Sequence, residues 1–476
     1  MLPGSRGLSR PIAAGNKDAA MSSAKFRLTK HVVQSQYIRQ YHHATINGDE
    51  DDLQICVNQY TPLDNPHPQR GDVTIIAAHA NGVGKELYEP LWDELHSLSV
   101  KSKAFRIRNI WIADVAWQGE SGVLNEDKLG NDPNWLDHSR DLLHIINHFR
   151  KQMPRPLIGM GHSMGAGQIT NLALLHPRLL HSIVLMEPVI QSVSIGSPNA
   201  GPATASTFRR DIWPSREAAA EAFRKNKFYT DWDPRCLDLW IKSGLRELPT
   251  ALYPVYPPTT STPATQAAIT AAAAVTAAPV PSPPGVDIPV TLTTTKHQEV
   301  FTFLRPMHPP ANNDVSAFIP TRLTHPDLLP QPYGPAQSPT YRPEPMLLFM
   351  QLPHLRPHCL YLFGTTSATS TPEMCAEKMR DTGVGWGGSG GVEAGAVKGV
   401  TLDGGHFVPF EKPAVVAAEI EKWFAAESQR WSEEEQILDL RWRSLGRLEK
   451  STLSDDWRWW MKRGREQNVQ KTGSKL

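Results

Sequence analysis

Gly161-His162-Ser163-Met164-Gly165 is the stretch that decides the fold. Residues 156–160 before it are apolar, and residues 166–175 after it have the composition of a helix. In a strand, sharp turn and helix of this kind the serine lies at the apex, and the glycines leave room where a side chain would clash. We expect an exposed Ser163 hydroxyl above the edge of a sheet, with the Met164 N–H free to meet a developing oxyanion. An ordinary turn rich in small residues is the alternative.

Length, charge and apolar runs exclude several classes of protein. The chain has 476 residues, enough for one large α/β domain with insertions or for two domains. Its net charge is +1, which gives no support for a nucleic-acid partner. The first 21 residues lack the apolar core of a secretory signal, and no apolar run approaches the ~20 residues that span a bilayer. We therefore predict no transmembrane segment.

Cysteine, histidine and glycine patterns give no sign of a metal or cofactor. The four cysteines are widely spaced, which is typical of reduced thiols: Cys56, Cys236, Cys359 and Cys375. His144 and His148 lie four apart on a predicted helix without an obvious third metal ligand. The glycine-rich residues 382–391 lack the preceding strand and following helix of a phosphate-binding loop. We predict neither a metal nor a cofactor.

Apolar, β-branched runs alternate with segments of helical periodicity in the first part of the chain. We predict strands at residues 25–33, 52–60, 73–78, 110–113, 156–160 and 182–186, and helices at 85–98, 137–149 and 166–175. This alternation predicts an α/β fold with a doubly wound, mostly parallel sheet. Ligands of such sheets gather at the carboxyl ends of the strands, where His79, Ser163 and Glu187 fall.

The alternation is interrupted after Glu187, which predicts an inserted lid. Residues 215–246 are amphipathic and rich in aromatic side chains, which would roof an apolar pocket or build the core of the lid itself. Residues 257–284 are dominated by Pro, Ala, Thr and Ser and are predicted to be disordered. The predicted organisation is a disordered N-terminus (1–24), a first core part (25–188), the lid (189–346), a second core part (347–425) and a C-terminal helix and tail (426–476).

The C-terminal segment carries two further signals. Residues 432–435, Ser-Glu-Glu-Glu, have the pattern of a capping box and predict a helix start. An apolar stripe follows the helical spacing, and it would pack on its own domain or form a homodimer contact: Trp431, Leu438, Trp442, Leu445, Leu453, Trp457 and Trp460. The tripeptide Ser474-Lys475-Leu476 is a peroxisomal address, which predicts the peroxisomal matrix as location and its import receptor as partner.

A nucleophilic serine needs a base within hydrogen-bond distance, and that base needs an orienting acid. In folds with this serine turn the chain order is serine, acid, histidine. His406 fits the base because it follows the last predicted strand, near residues 396–402, after two glycines. His162 is adjacent to Ser163 and points away from it, and His79 fits a packing role better.

The acid and the second oxyanion donor are less directly indicated. Glu187 follows the strand next to the nucleophile helix and is our assignment for the acid. Glu373 is the second candidate, and Asp403, on the histidine's own turn, is the third. The oxyanion hole would combine the N–H groups of Met164 and Val83.

These motifs together resemble one family. They are similar to motifs of the fungal peroxisomal α/β-hydrolases. The motifs are His79-Ala80-Asn81-Gly82, residues 161–165, Glu187-Pro188, residues 405–411 and the terminal tripeptide. That group includes the acyl-CoA hydrolase of mycophenolic acid biosynthesis and the toxin biosynthesis proteins. The resemblance covers about residues 25–425 without the Pro/Ala/Thr tract, and the family usually carries Asp where this chain has Glu187.

The resemblance implies an α/β-hydrolase fold and a serine hydrolase, with Ser163, Glu187 and His406 as its catalytic residues. It further implies cleavage of acyl-CoA thioesters in the peroxisome, as part of fungal secondary metabolism. A peroxisomal lipase or carboxylester hydrolase is the first alternative. The second alternative is a non-catalytic binding protein that keeps the hydrolase fold.

Overall fold

The computed structural model describes residues 20–21, 24–48, 51–193, 201–254, 288–307, 321–328 and 340–473. The Pro/Ala/Thr tract at 257–284 and the tripeptide at 474–476 lie outside these residues, as does most of the N-terminal segment that was predicted to be disordered. The chain divides into two compact units, Met1–Ala425 and Ala426–Leu476. No helix in the described part is both long and apolar enough to cross a membrane.

Strands lie at β1 (Ala20–Met21), β2 (Phe26–Gln34), β3 (Gln54–Pro62), β4 (Val73–Ala78), β5 (Ile107–Ala113), β6 (Leu157–His162), β7 (Ser182–Met186), β8 (Ile212–Trp213), β9 (Leu245–Glu247), β10 (Val290–Leu292), β11 (Arg305–Pro306), β12 (Thr340–Tyr341), β13 (His358–Gly364) and β14 (Val397–Leu402). The main sheet has the order β1-β2-β3-β5-β4-β6-β7-β13-β14. Pairing is antiparallel from β1 to β5 and parallel from β5 to β14. The predicted doubly wound, mostly parallel sheet is confirmed, although Ala20–Met21 pairs with β2 inside the segment predicted to lack structure.

Helices lie at α1 (Glu89–Ser102), α2 (Gly119–Leu124), α3 (Asp137–His148), α4 (Met164–Leu175), α5 (Gly201–Phe208), α6 (Arg216–Lys225), α7 (Pro234–Ser243), α8 (Lys296–Phe303), α9 (Glu344–Phe349), α10 (Pro372–Asp381), α11 (Val408–Glu411), α12 (Pro413–Arg443) and α13 (Asp455–Gly473). Helical layers cover both faces of the parallel strands, so successive side chains are buried on opposite sides. Ile75 packs on the face of α1, and Ile76 packs on the face of α3 and α4.

The segment predicted to be a lid contains a cluster of aromatic side chains. Trp213, Phe223, Tyr229 and Trp240 are buried, and neighbouring rings lie 5.2–6.2 Å apart. Phe228 is half exposed and contacts Phe407 edge to face, with ring centroids 5.0 Å apart. These aromatic side chains therefore pack on one another, and Phe228 extends the cluster toward the turn that carries His406.

The predicted helix start at residues 432–435 is wrong. Helix α12 runs through this position from Pro413 to Arg443. The segment contains no glycine or proline after its first residue and is rich in Ala, Glu, Gln and Arg, which favour an uninterrupted helix. The side chains of Arg430 and Glu434 form an i,i+4 ion pair of 2.6 Å across the predicted boundary.

A buried lysine ties the loop after β4 to the end of β5. The side chain of Lys85 has no exposed surface, and its Nζ lies 2.7 Å from Asp114, 2.8 Å from Glu86 and 2.9 Å from Glu120. Burial favours the neutral form of Asp114 and raises its pKa to about 7, while burial of Lys85 is offset by these carboxylates, which raise the pKa of the ammonium. The ammonium group of Lys85 therefore favours the ionised form of Asp114 and opposes the effect of burial.

We expect Lys85→Met to lower the free energy of unfolding by about 3–5 kcal/mol, because it leaves buried carboxylates without their cation. Urea unfolding at pH 7 measures this loss. Lys30→Met is the matched control, since the Lys30 side chain is 51% exposed and also pairs with Glu120. That substitution should cost less than about 1 kcal/mol. A loss for Lys85→Met as small as that of the control would contradict the argument.

Candidate active site

Ser163 lies in a strained turn between β6 and α4. Its backbone has φ 57° and ψ −117°, which costs a non-glycine residue about 1–3 kcal/mol. A Cβ on Gly161 would lie 2.4 Å from the Gly165 carbonyl oxygen, and one on Gly165 would lie 2.3 Å from that of Ala78. Both glycines are therefore required for the close approach of β6, α4 and β4, for the steric reason expected from the sequence.

Ser163, His406 and Glu187 lie in one hydrogen-bonded row at the carboxyl edge of the sheet. Ser163 Oγ is 2.9 Å from His406 Nε2, and His406 Nδ1 is 3.1 Å from Glu187 Oε2. Ser163 follows β6, Glu187 follows β7, and His406 lies between β14 and α11. Ser163 is 7% exposed, while the His406 side chain is 26% exposed. The structure thus brings together three of the residues selected from the sequence.

Glu187 is fully buried and is held by several donors. Its Oε1 accepts hydrogen bonds from the Gly364 N–H and from Ser370 Oγ at 2.7 Å, and its Oε2 accepts one from Thr369 Oγ1 at 3.0 Å. Burial opposes ionisation of the carboxyl group, but hydrogen bonds from His406 and from the Gly364 N–H outweigh it and lower the pKa of Glu187 to about 2. The group facing His406 is therefore a carboxylate near neutral pH.

The two alternative acids lie away from the imidazole. Glu373 is exposed in the first turn of α10. The Asp403 side chain is 87% exposed and pairs with Lys412 at 2.6 Å. Of the three carboxylates considered from the sequence, the structure places Glu187 within hydrogen-bond distance of His406.

The sequence predicted the backbone N–H groups of Met164 and Val83 as oxyanion donors, and the structure differs at Val83. The Met164 N–H, at the first turn of α4, has no protein acceptor among the described residues. The Val83 N–H points to the Ala80 carbonyl oxygen at 3.5 Å and closes a turn, so it is not a free donor. In the same loop the Asn81 N–H has no acceptor within the described part of the chain. The Asn81 N–H was not selected from the sequence, although Asn81 lies in the quoted motif His79-Ala80-Asn81-Gly82, three residues after the end of β4.

Other histidines considered from the sequence lie outside this row. His79 is buried, donates from Nδ1 to the Ala80 carbonyl oxygen (2.8 Å) and accepts the Val115 N–H at Nε2 (3.0 Å). Burial lowers its pKa to about 4, which fits a neutral packing role. The rings of His144 and His148 are 6.4 Å apart. Among the described residues, no group of three potential metal ligands is present.

The arrangement can support acyl transfer. An imidazole 2.9 Å from a hydroxyl can accept its proton, and a buried carboxylate on the opposite ring nitrogen fixes the tautomer and stabilises the imidazolium that forms. A free N–H at the start of α4 can stabilise an oxyanion on an attacked carbonyl. These three functions are the requirements for hydrolysis through a covalent intermediate.

Comparison with known proteins agrees with this chemistry. Residues 109–233 match the family model described as serine aminopeptidase, S33. The type I acyl-CoA thioesterase mpaH of Penicillium roqueforti is 43% identical over 420 residues, which cover 87% of this chain and 91% of that protein. The corresponding mpaH' of Penicillium brevicompactum is 42% identical over 421 residues, with the same coverage. The abhydrolase domain-containing protein AFT2-1 of Alternaria alternata is 25% identical over 57% of this chain and 84% of that protein.

A solved structure shares the fold at low sequence identity. The peroxisomal α/β-hydrolase Lpx1 of Saccharomyces cerevisiae aligns with 94% of this chain and 99% of its own length, with a TM-score of 0.60 and 15% identity. Three observations lead to one conclusion. They are the sheet topology, the row formed by Ser163, His406 and Glu187, and more than 40% identity over nine-tenths of the mpaH proteins. The chain is a hydrolase of the α/β-hydrolase fold and belongs to the family of the Penicillium type I acyl-CoA thioesterases.

Proposed function

We propose that this protein is a serine hydrolase that cleaves acyl-CoA thioesters through an acyl-enzyme intermediate. The observation that carries the proposal is the row of hydrogen bonds from Ser163 Oγ to His406 Nε2 (2.9 Å) and from His406 Nδ1 to Glu187 Oε2 (3.1 Å). The thioester class is inferred from the Penicillium relatives, which are type I acyl-CoA thioesterases.

In the proposed reaction, Ser163 Oγ attacks the thioester carbonyl while His406 Nε2 accepts its proton. The Met164 N–H stabilises the oxyanion, and the tetrahedral intermediate collapses to an acyl-serine as the CoA thiolate leaves with the proton from His406. His406 then removes a proton from water, which attacks the acyl-serine, and His406 returns that proton to Ser163 Oγ as the ester bond breaks and the carboxylic acid leaves. Glu187 keeps Nδ1 protonated in both steps.

Paired substrates with the same acyl chain test the thioester preference. We expect a CoA thioester to be hydrolysed with a kcat/KM at least about tenfold above that of the matching p-nitrophenyl ester, because binding of the CoA part must outweigh the better leaving group of the activated ester. Thiol release and nitrophenol absorbance measure the two rates, and a mixed acyl-CoA library read by mass spectrometry identifies the preferred acyl group.

The alternatives predict different results in the same assay. A preference for p-nitrophenyl esters or triacylglycerol over every acyl-CoA would favour a lipase or carboxylester hydrolase. Absence of turnover on all three substrate classes, together with no labelling of Ser163 by a fluorophosphonate, would favour a non-catalytic binding protein.

The proposal includes location and pathway. The motif Ser474-Lys475-Leu476 supports delivery to the peroxisomal matrix through the import receptor, although it lies outside the described residues. Peroxisomes contain CoA-linked acyl chains, so this location supplies the proposed substrate. The resemblance to the hydrolase of mycophenolic acid biosynthesis supports a role in fungal secondary metabolism.

We also propose a homodimer formed through the C-terminal segment. Most of the stripe identified in the sequence is exposed, including Leu438 (56%), Trp442 (56%), Trp457 (53%) and Trp460 (60%), whereas Trp431 is buried. Tryptophans are enriched where protein surfaces associate, and a second copy of this segment would present the same apolar side chains.

A further inference from the structure

A chain of hydrogen bonds joins the loop after β4 to the backbone of His406. The Ala80 N–H donates to the Tyr88 hydroxyl oxygen at 3.0 Å, and that hydroxyl lies 2.9 Å from His162 Nδ1. On the other side of the ring, His162 Nε2 lies 2.8 Å from the carbonyl oxygen of His406. The His162 ring thus connects the loop near the oxyanion donors with the turn that carries the proposed base.

The direction of every hydrogen bond in this chain follows from its partners. A carbonyl oxygen can only accept, so His162 Nε2 carries the proton and donates to His406. His162 Nδ1 is then an acceptor, which receives the Tyr88 hydroxyl proton and leaves the hydroxyl oxygen to accept from Ala80. The ring has no exposed surface, and burial together with the neighbouring His406 lowers its pKa to about 3, so it is neutral and keeps one tautomer.

Aromatic packing fixes the orientation of this ring. Phe410 and Phe407 lie edge to face with His162, with ring centroids 5.4 and 5.9 Å apart, and Tyr88 lies edge to face at 6.0 Å. The imidazole is therefore held on several sides, and its Nε2–H can hold the carbonyl oxygen of His406 in one position.

Thr366 and Glu411 hold the two glycines before His406, and His162 holds the carbonyl group of His406 itself. Gly404 and Gly405 precede the histidine, and glycine permits more backbone conformations than any other residue. A displacement of about 1 Å in a reacting group can cost roughly 10²-fold in rate. A donor that holds the His406 carbonyl oxygen therefore limits the motion of the imidazole relative to Ser163.

We propose that His162 is a positioning residue, which holds the His406 backbone through Nε2–H and the loop of Ala80 through Tyr88. This role rests on the proposed function, because it concerns the base of the serine mechanism. His162 does not exchange a proton with substrate; it acts through the placement of His406.

Two variants of His162 separate the donor from the bulk of the ring. Glutamine is long enough to place an amide N–H near the position of Nε2, whereas asparagine is too short. We expect His162→Asn to lower kcat about 10–100-fold with KM changed less than about threefold, and His162→Gln to recover most of that loss. Tyr88→Phe should lower kcat by a smaller factor, and adding it to His162→Asn should cause no further loss, because both act in one chain.

A control variant tests for general effects of the substitution, and the rate of labelling gives a second measurement that does not depend on the substrate. His67→Asn makes the same change at an exposed histidine and should leave kcat and melting temperature unchanged. The rate at which a fluorophosphonate labels Ser163 should follow kcat across all variants, whether or not acyl-CoA is the substrate.

Several outcomes would overturn the positioning role. One is a folded His162→Asn variant whose labelling rate and kcat stay within about twofold of wild type. Another is an equal loss in His162→Gln and His162→Asn, since that pattern reports packing rather than the donor. If His162→Asn does not fold, normal labelling of Tyr88→Phe overturns the role and slowed labelling supports it. Failure of the wild type to be labelled refutes the serine mechanism and this role with it, whereas labelling without thioester cleavage refutes only the substrate class.

Discussion

Replacing Ser163 with alanine should lower acyl-CoA turnover by roughly 10⁴–10⁶-fold, the range found when the nucleophile of a serine triad is removed. The substitution removes the oxygen 2.9 Å from His406 Nε2 and leaves the base without a proton to accept. Residual turnover would come from oxyanion stabilisation and substrate binding alone. Release of free CoA thiol in a steady-state assay measures the loss, and the same variant should not react with a fluorophosphonate.

A second serine provides the control for this variant. Ser139 on α3 is buried and donates to the Gln168 carbonyl oxygen at 2.9 Å, outside the proposed catalytic row. Ser139→Ala should lower the free energy of unfolding by about 1 kcal/mol and leave kcat nearly unchanged. Thioester hydrolysis by folded Ser163→Ala at more than about a tenth of the wild-type rate would show that this hydroxyl is not the nucleophile.

The parts of the structure that sequence reasoning predicted best depend on local patterns. Val73–Ala78 and Ser182–Met186 have the predicted bounds, because both strands are short, continuously apolar and ended by polar residues at the sheet edge. The turn at Ser163 was equally predictable, since its glycines are required by backbone contacts within a few residues and with the adjacent strand. In each case the residues that determine the structure lie close together in the chain or repeat along one strand.

The parts that sequence reasoning missed depend on contacts between distant segments. Thr369 and Gly364 bind Glu187 from 182 and 177 residues away, and nothing in their own sequence predicts that they face a carboxylate. The Val83 N–H was expected to be free, but the turn formed by its own loop uses it. The three residues of the candidate site that lie together could therefore be selected from the sequence, whereas the groups that hold them required the three-dimensional structure.

Glu187→Gln should lower kcat by roughly 10³–10⁴-fold, the effect of the corresponding change in a serine triad. Glutamine keeps the size of the side chain but removes the negative charge that stabilises the imidazolium of His406. Because the pKa of Glu187 is about 2, wild-type Glu187 stays ionised throughout the pH range of the assay. The ionisation of Glu187 itself should therefore add no pH dependence to the wild-type rate between about pH 6 and pH 9.

The same pKa gives the sign of the effect on stability. The ordinary pKa of glutamate is 4.5 and that of folded Glu187 is about 2, so its ionisation stabilises the fold above about pH 4.5, and this contribution is lost as the pH falls toward 2. Glu187→Gln should thus lower the free energy of unfolding at pH 7 by up to about 3 kcal/mol, and by less as the solution becomes acidic. Urea unfolding at several pH values separates this loss from the loss in kcat.

Three further variants separate the candidate acids. Glu187→Asp keeps the charge but is one methylene shorter, so it should retain more activity than Glu187→Gln, although less than wild type. Glu373→Gln and Asp403→Asn should stay within about twofold of wild type, because both side chains are exposed and neither contacts the imidazole. If either of these lowers kcat as much as Glu187→Gln, the acid has been assigned to the wrong carboxylate. A loss with Glu187→Gln that disappears at acidic pH would mean instead that Glu187 titrates in the working range, which the hydrogen bonds from Gly364, Thr369 and Ser370 should prevent.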